Sequence, residues 1–139
     1  MENEPYNPWA ILVDSSVWID YFNGQATPQT QSLERLLGIQ PLLVGDIILA
    51  EVLQGFRAEA DFDQALQALQ RFEQVSLLTP ALAVQSARNY RALRQKGLTV
   101  RKTVDCIIAA WCIAAGCQLL HSDSDFTPFE EHLGLEVVH

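Results

Sequence analysis

A chain of 139 residues and 15.5 kDa, with 49% hydrophobic and 19% charged residues, is sized for one domain spanning 1–139. Such a domain can bury about two thirds of its unfolded surface, which removes the need for disulfides or a structural zinc. Nine Lys+Arg stand against seventeen Asp+Glu, a net charge of −8 at pH 7, and bulk acidity of that size argues against a polyanionic partner unless the charges are segregated.

Residues 1–5 are acidic and are followed by no long apolar run, so the sequence reads as lacking a signal peptide. The longest charge-free stretch, 106–122, is broken by Gly116, Gln118 and His121 before it can span a bilayer. Cys106, Cys112 and Cys117 lack metal-ligand spacing and read as buried small hydrophobes of a reducing compartment. A soluble cytoplasmic protein, with no membrane partner, is the expectation.

In chain order, Ala10-Ile11-Leu12-Val13 reads as a buried strand, and Asp14-Ser15-Ser16 supplies capping side chains for a helix over 17–22 closed by Gly24. A helix over 31–37 precedes a short strand at 42–44. Gly45-Asp46 then opens a helix over 47–54, stopped by Gly55. Phe62, Ala65, Leu66, Leu69 and Phe72 recur at helical spacing over 61–72, and 75–78 reads as a strand. Pro80 opens a long helix ended by Gly97, Thr103 is placed as N-cap of an apolar helix over 104–115, and strands are expected at 118–121 and, as an edge, at 135–138. Short apolar strands alternating with helices predict an α/β fold: a three-layer α/β/α sandwich around a mainly parallel sheet of four or five strands.

The acids fall at the ends of these elements. Asp14 directly follows the first strand, where a plain N-cap role would suffice for it. Glu51 lies within the run 47–53, either on a solvent stripe or at a partly buried site. Asp105 stands in the first turn of a helix that is otherwise almost wholly apolar, so it faces the end of the core. Asp123 and Asp125 come just beyond a strand, where Asx-turn chemistry is the plain alternative. Together, four elements aim carboxylates at the carboxyl edge of the sheet, where α/β folds bind ligands. Clustered carboxylates need a compensating charge, and for an all-oxygen set that is a hard divalent cation, Mg2+ or Mn2+, suited to phosphodiester hydrolysis.

The segments Val13-Asp14-Ser15-Ser16-Val17-Trp18-Ile19-Asp20, Ala50-Glu51-Val52-Leu53-Gln54-Gly55, Val104-Asp105-Cys106-Ile107-Ile108-Ala109-Ala110 and Ser122-Asp123-Ser124-Asp125-Phe126 resemble the four signature blocks of PIN-domain ribonucleases. More narrowly they resemble the VapC toxins of bacterial toxin–antitoxin pairs. The resemblance implies a metal-dependent endoribonuclease in which Asp14, Glu51, Asp105 and Asp123 form the metal-binding catalytic quartet, Asp125 is a further ligand candidate, and Ser16 supports the site. It also implies an RNA substrate, a homodimer and a cognate antitoxin that plugs the groove. Ser124 departs from the resemblance, which often has a basic or polar residue between the last two acids, and spacing leaves Asp123 and Asp125 as alternatives for the fourth ligand.

Six of the nine basic residues lie between 88 and 102. Arg88, Arg91 and Arg94 follow at three-residue steps on one helix face, and Arg101 and Lys102 immediately precede Asp105, so the five read as an RNA-binding ridge beside the acids. The aromatics Trp18, Tyr21, Phe22, Phe56, Tyr90 and Trp111 read as core or interface, and His121 as a hydrogen-bonded structural histidine. No nucleophile elbow points to a Ser/His/Asp hydrolase. Two rivals use the same acids: a receiver-like phosphoacceptor domain, which would need a lysine near the last strands where none follows Lys102, and a catalytically silent binding module acting through protein partners.

Overall fold

The computed structural model describes residues 7–139; the acidic segment 1–5 lies outside the described residues. Among the described residues, four strands, β1 (Ile11–Val13), β2 (Leu42–Gly45), β3 (Glu73–Val75) and β4 (Gln118–Leu120), form one sheet in the order β3-β2-β1-β4. All three pairings are parallel, with Leu12 opposite Leu43 and Leu119. Successive residues of β1 point to opposite faces, yet Ile11, Leu12 and Val13 are all buried. Both faces are therefore covered, and the connecting helices α1 (Ser15–Phe22), α2 (Pro28–Leu36), α3 (Asp46–Leu53), α4 (Glu59–Leu69), α5 (Pro80–Gln95), α6 (Thr103–Ala115) and α7 (Thr127–Leu133) complete the three-layer α/β/α sandwich.

Local chemistry sets the helix ends. Asp14 caps α1, its side chain accepting the Ser16 N–H. The second helix begins at Pro28, earlier than its apolar spacing suggests, because Thr27 and Thr30 form a reciprocal capping box. Gly45 sits in the β2–α3 turn, where a Cβ would fall 2.5 Å from Leu77 Cδ1, so the packing of the Leu77 side chain favours glycine there. Gly116 ends α6 in the left-handed conformation at φ 72.

Three expectations are corrected. Thr103 is the first residue of α6 rather than its cap; Lys102 occupies the N-cap position without a side-chain cap bond. The third strand ends at Val75 instead of beginning there, and 135–138 forms a single bridge, Leu119 to Val137, rather than an edge strand. Beyond β4 a 3-10 turn (Ser124–Phe126) leads into α7, whose Phe129 is buried. The three cysteines are buried and free.

Candidate active site

The strand order reverses at β1, with β2 on one side and β4 on the other. Open α/β sheets bind ligands outside the carboxyl ends of the strands at such a switch point. Asp14, the residue after β1, donates its amide to the Leu120 carbonyl of β4 at 2.9 Å, which fixes the two strand ends beside one another. The Ser16 hydroxyl then donates to Asp14 Oδ2 at 2.6 Å and accepts the Ser122 N–H at 3.2 Å. Ser16 thus ties the first acid to the loop that carries the last ones.

Asp105, Asp123 and Asp125 each present an oxygen within 4.8 Å of the others. Asp123 is held by its neighbours: its Oδ1 accepts the Asp125 N–H at 2.9 Å, and its own amide donates to His121 Nδ1 at 3.1 Å. Asp105 is carried into the group by α6, which is buried along Cys106, Ile108, Ala109, Ala110, Trp111 and Cys112 and so fixes the acid at its first turn. Asp14 and Glu51 stand outside this tight triad. They remain within its electrostatic reach, since the Asp14 charge acts on both Glu51 and Asp105. Ser15, which the sequence suggested only as a cap, is the hydroxyl that acts on Glu51; packing of α1 on α3 brings them together, and no spacing signal announces it.

Burial and like charge decide the protonation of these groups. Burial, followed by the Asp123, Asp14 and Asp125 carboxylates, pushes Asp105 up to about 7 against the opposing Lys102 ammonium. Burial also raises Asp14 and Glu51, only partly offset by their serine hydrogen bonds. Asp123 goes the other way: its burial is outweighed by the Asp125 amide and the Lys102 ammonium, which hold it below the usual carboxylate range. Burial depresses His121, although Asp14 and Asp123 pull it upward.

Two cations from the segment before α6 meet the triad. The Lys102 ammonium lies 3.2 Å from Asp123 Oδ2 and 3.9 Å from Asp105 Oδ2, and the Arg101 guanidinium donates to Asp125 Oδ1 at 2.8 Å. Arg88, Arg91 and Arg94 are exposed along α5 and make no ion pair with the acids among the described residues. Of the expected ridge, the structure brings Arg101 and Lys102 into the acidic site and leaves the α5 arginines on the flank.

Among the described residues, the buried oxygens Glu51 Oε1 and Asp105 Oδ2 make no hydrogen bond. Buried polar atoms in folded proteins are rarely left so. The clustered Asp105, Asp123 and Asp125 oxygens are hard, anionic donors of the type that suits a cation such as Mg2+ or Mn2+.

Residues 11–131 match the PIN domain family. The chain belongs to the PIN-domain family. This PIN domain is 34% identical over 125 residues to a VapC ribonuclease of Mycobacterium bovis, an alignment covering 84% of this chain and 88% of the relative. Among solved structures, its fold is similar to VapBC2 from Rickettsia felis bound to a DNA fragment from the promoter, with TM-score 0.72, 20% identity, and 93% and 97% of the two chains covered. It is likewise similar to VapBC-5 of Mycobacterium tuberculosis, a member of the VapBC family of toxin-antitoxin systems, with TM-score 0.65, 21% identity, and 95% and 99% covered. Among the described residues, no helix of this PIN domain is long and apolar enough to cross a membrane.

Proposed function

We propose that this PIN domain is a divalent-metal-dependent endoribonuclease and the toxin of a VapBC-type pair. The observation that carries the reading is the triad Asp105, Asp123 and Asp125 within 4.8 Å at the sheet's switch point, with a buried oxygen on Asp105 that makes no hydrogen bond. The 34% identity to a protein named as a VapC ribonuclease supports it.

A phosphodiester is an anion, and bare carboxylates repel it. Mg2+ or Mn2+, when bound, supplies the charge neutralisation and the activation of water that hydrolysis at such a site requires. Asp14, Glu51, Asp105 and Asp123 are the residues proposed to hold the cation, with Asp125 a further ligand candidate. Ser16 keeps Asp14 in register with the β4 loop through its two hydrogen bonds. Arg101 and Lys102, both exposed cations on the rim of the acids, bind the incoming phosphates, and Arg88, Arg91 and Arg94 extend that contact along α5. In the reaction, a water oxygen bonds to phosphorus and the bond from phosphorus to the leaving ribose oxygen breaks, the water's proton replacing the lost bond on the leaving side.

The acidic mouth also suits the proposed antitoxin: a basic side chain of a partner protein would compete for the same carboxylates. A homodimer acting in the cytoplasm completes the reading. Induced expression in bacteria, followed by mapping of new RNA 5′ ends, tests it. Discrete cleavage ends and growth arrest that both vanish with Asp14→Asn are expected; arrest that persists in the variant, without new ends, would refute the nuclease reading.

A further inference from the structure

We propose that the cavity between α5 and α6 is a nucleotide subsite, holding one base of a single-stranded RNA beside the acidic group. The identity of the ligand rests on the nuclease reading above. The cavity has a volume of about 510 Å3, within the roughly 300–1,000 Å3 typical of small-ligand sites. Its long wall is α5, where Ala87 leaves room that a larger side chain would fill and the half-buried Tyr90 offers an aromatic surface. The Arg94 guanidinium carbon lies 5.6 Å from the Tyr90 ring centroid, and Arg91 joins it on the wall. The guanidinium lies over the ring, so its outer plane, backed by Tyr90, is the stacking surface offered to a single-stranded base, with Arg91 beside it for phosphate.

The opposite wall locates the subsite. Thr103 and Cys106 line the cavity, and both belong to the helical turn of α6 that carries Asp105. Lys102, on Asp123 and Asp105, immediately precedes that turn. Neither Lys102 nor the carboxylates line the cavity; the shared turn of α6 sets the two side by side, and in this proposal an RNA whose phosphate meets Lys102 reaches the cavity with a neighbouring base. Neither the arginines nor Tyr90 contacts the acids, so the feature adds selectivity for a neighbouring base rather than repeating the acidic site. The concave shape and the arginines favour a nucleotide over the flat face of a second copy, which is the alternative the test separates.

The test uses the full chain carrying Asp105→Asn, so that RNA stays intact, and a series of fluorescein-labelled single-stranded RNAs in which one abasic position is moved along the sequence. Anisotropy is expected to show a loss of about tenfold in affinity at one position of the series. Adding Ala87→Trp, a substitution at an exposed helix position that fills the cavity, is expected to weaken the intact RNA by the same factor and to abolish the positional effect. Uniform affinity across the series, or no RNA binding, would overturn the subsite. So would an Ala87→Trp protein that changes its sedimentation mass while keeping the positional effect, which would assign this face to a second copy. Cleavage by the unsubstituted protein is read separately: positional binding without cleavage would refute the nuclease reading and leave the subsite standing.

Discussion

The Lys102 ammonium stands 3.2 Å from Asp123 Oδ2, so an amine and a divalent cation would compete for the same oxygen. Replacing the amine by an uncharged side chain of similar length removes that competitor and one positive charge from the site. Lys102→Met is expected to bind Mn2+ about tenfold more tightly by calorimetric titration, since a unit charge at about 4 Å is worth a few kcal/mol at the effective dielectric of a protein surface. Weaker Mn2+ binding in the variant would show that Lys102 supports the site instead of competing for it.

Asp105 gives the metal-free protein a defined pH dependence. Its folded-state pKa is raised to about 7, so between the ordinary carboxylate value and about 7 the folded state holds a proton that the unfolded state has lost. Stability contributed by this residue therefore falls as pH rises through that window. In thermal unfolding with EDTA, Asp105→Asn should be more stable than the parent at pH 8 and close to it at pH 4, with the difference growing in between. A difference constant with pH would contradict the assignment.

Ser16 is predicted to act on function more than on stability. Ser16→Ala deletes the 2.6 Å bond to Asp14 and the acceptor for Ser122 N–H. Partners of this type behind a metal ligand typically contribute about 10–100-fold to metal affinity or activity, whereas the lost hydrogen bond itself is worth about 1 kcal/mol of folding. Cleavage rates and urea denaturation on the same preparation separate the two effects.

Gly45→Ala probes the fold that positions Glu51. The added Cβ would meet Leu77 Cδ1 at 2.5 Å and Cγ at 2.8 Å, and Leu77 is fully buried, so its side chain must shift within packed surroundings. Overpacking of this kind is expected to cost about 1–3 kcal/mol, read as a lower urea midpoint.

The fold was legible in the sequence wherever one residue type dominated a segment. The apolar runs of β1 and β2 and the buried stripe of α6 announced themselves, and the burial of Asp105 followed from the apolar helix around it. β3 was misplaced because Glu73 and Gln74 are exposed and carry no strand signature, while the apolar residues after them lie in the connection to α5. The 135–138 segment buries Leu135 and Val137 like a strand but makes only one bridge, a difference of backbone pairing that side-chain pattern does not encode. Within the site, Asp14 and Asp123 could be placed at one sheet edge from strand ends, and Asp105 from the start of an apolar helix. The pairing of Arg101 with Asp125 joins residues 24 positions apart, and the action of Ser15 on Glu51 depends on how α1 packs on α3; neither is written in local spacing. The bulk charge of −8 misleads for the same reason, because Asp105, Asp123 and Asp125 are gathered in one place with Arg101 and Lys102 against them.

The clustered carboxylates are proposed to act through a divalent cation to cut RNA. The most direct test incubates the purified chain with a labelled RNA in Mn2+ or in EDTA, beside Asp105→Asn. Cleavage in Mn2+, none in EDTA, and a loss of at least about a hundredfold in the variant are the predicted results. Cleavage that is equal in EDTA, or unchanged by Asp105→Asn, would contradict the account.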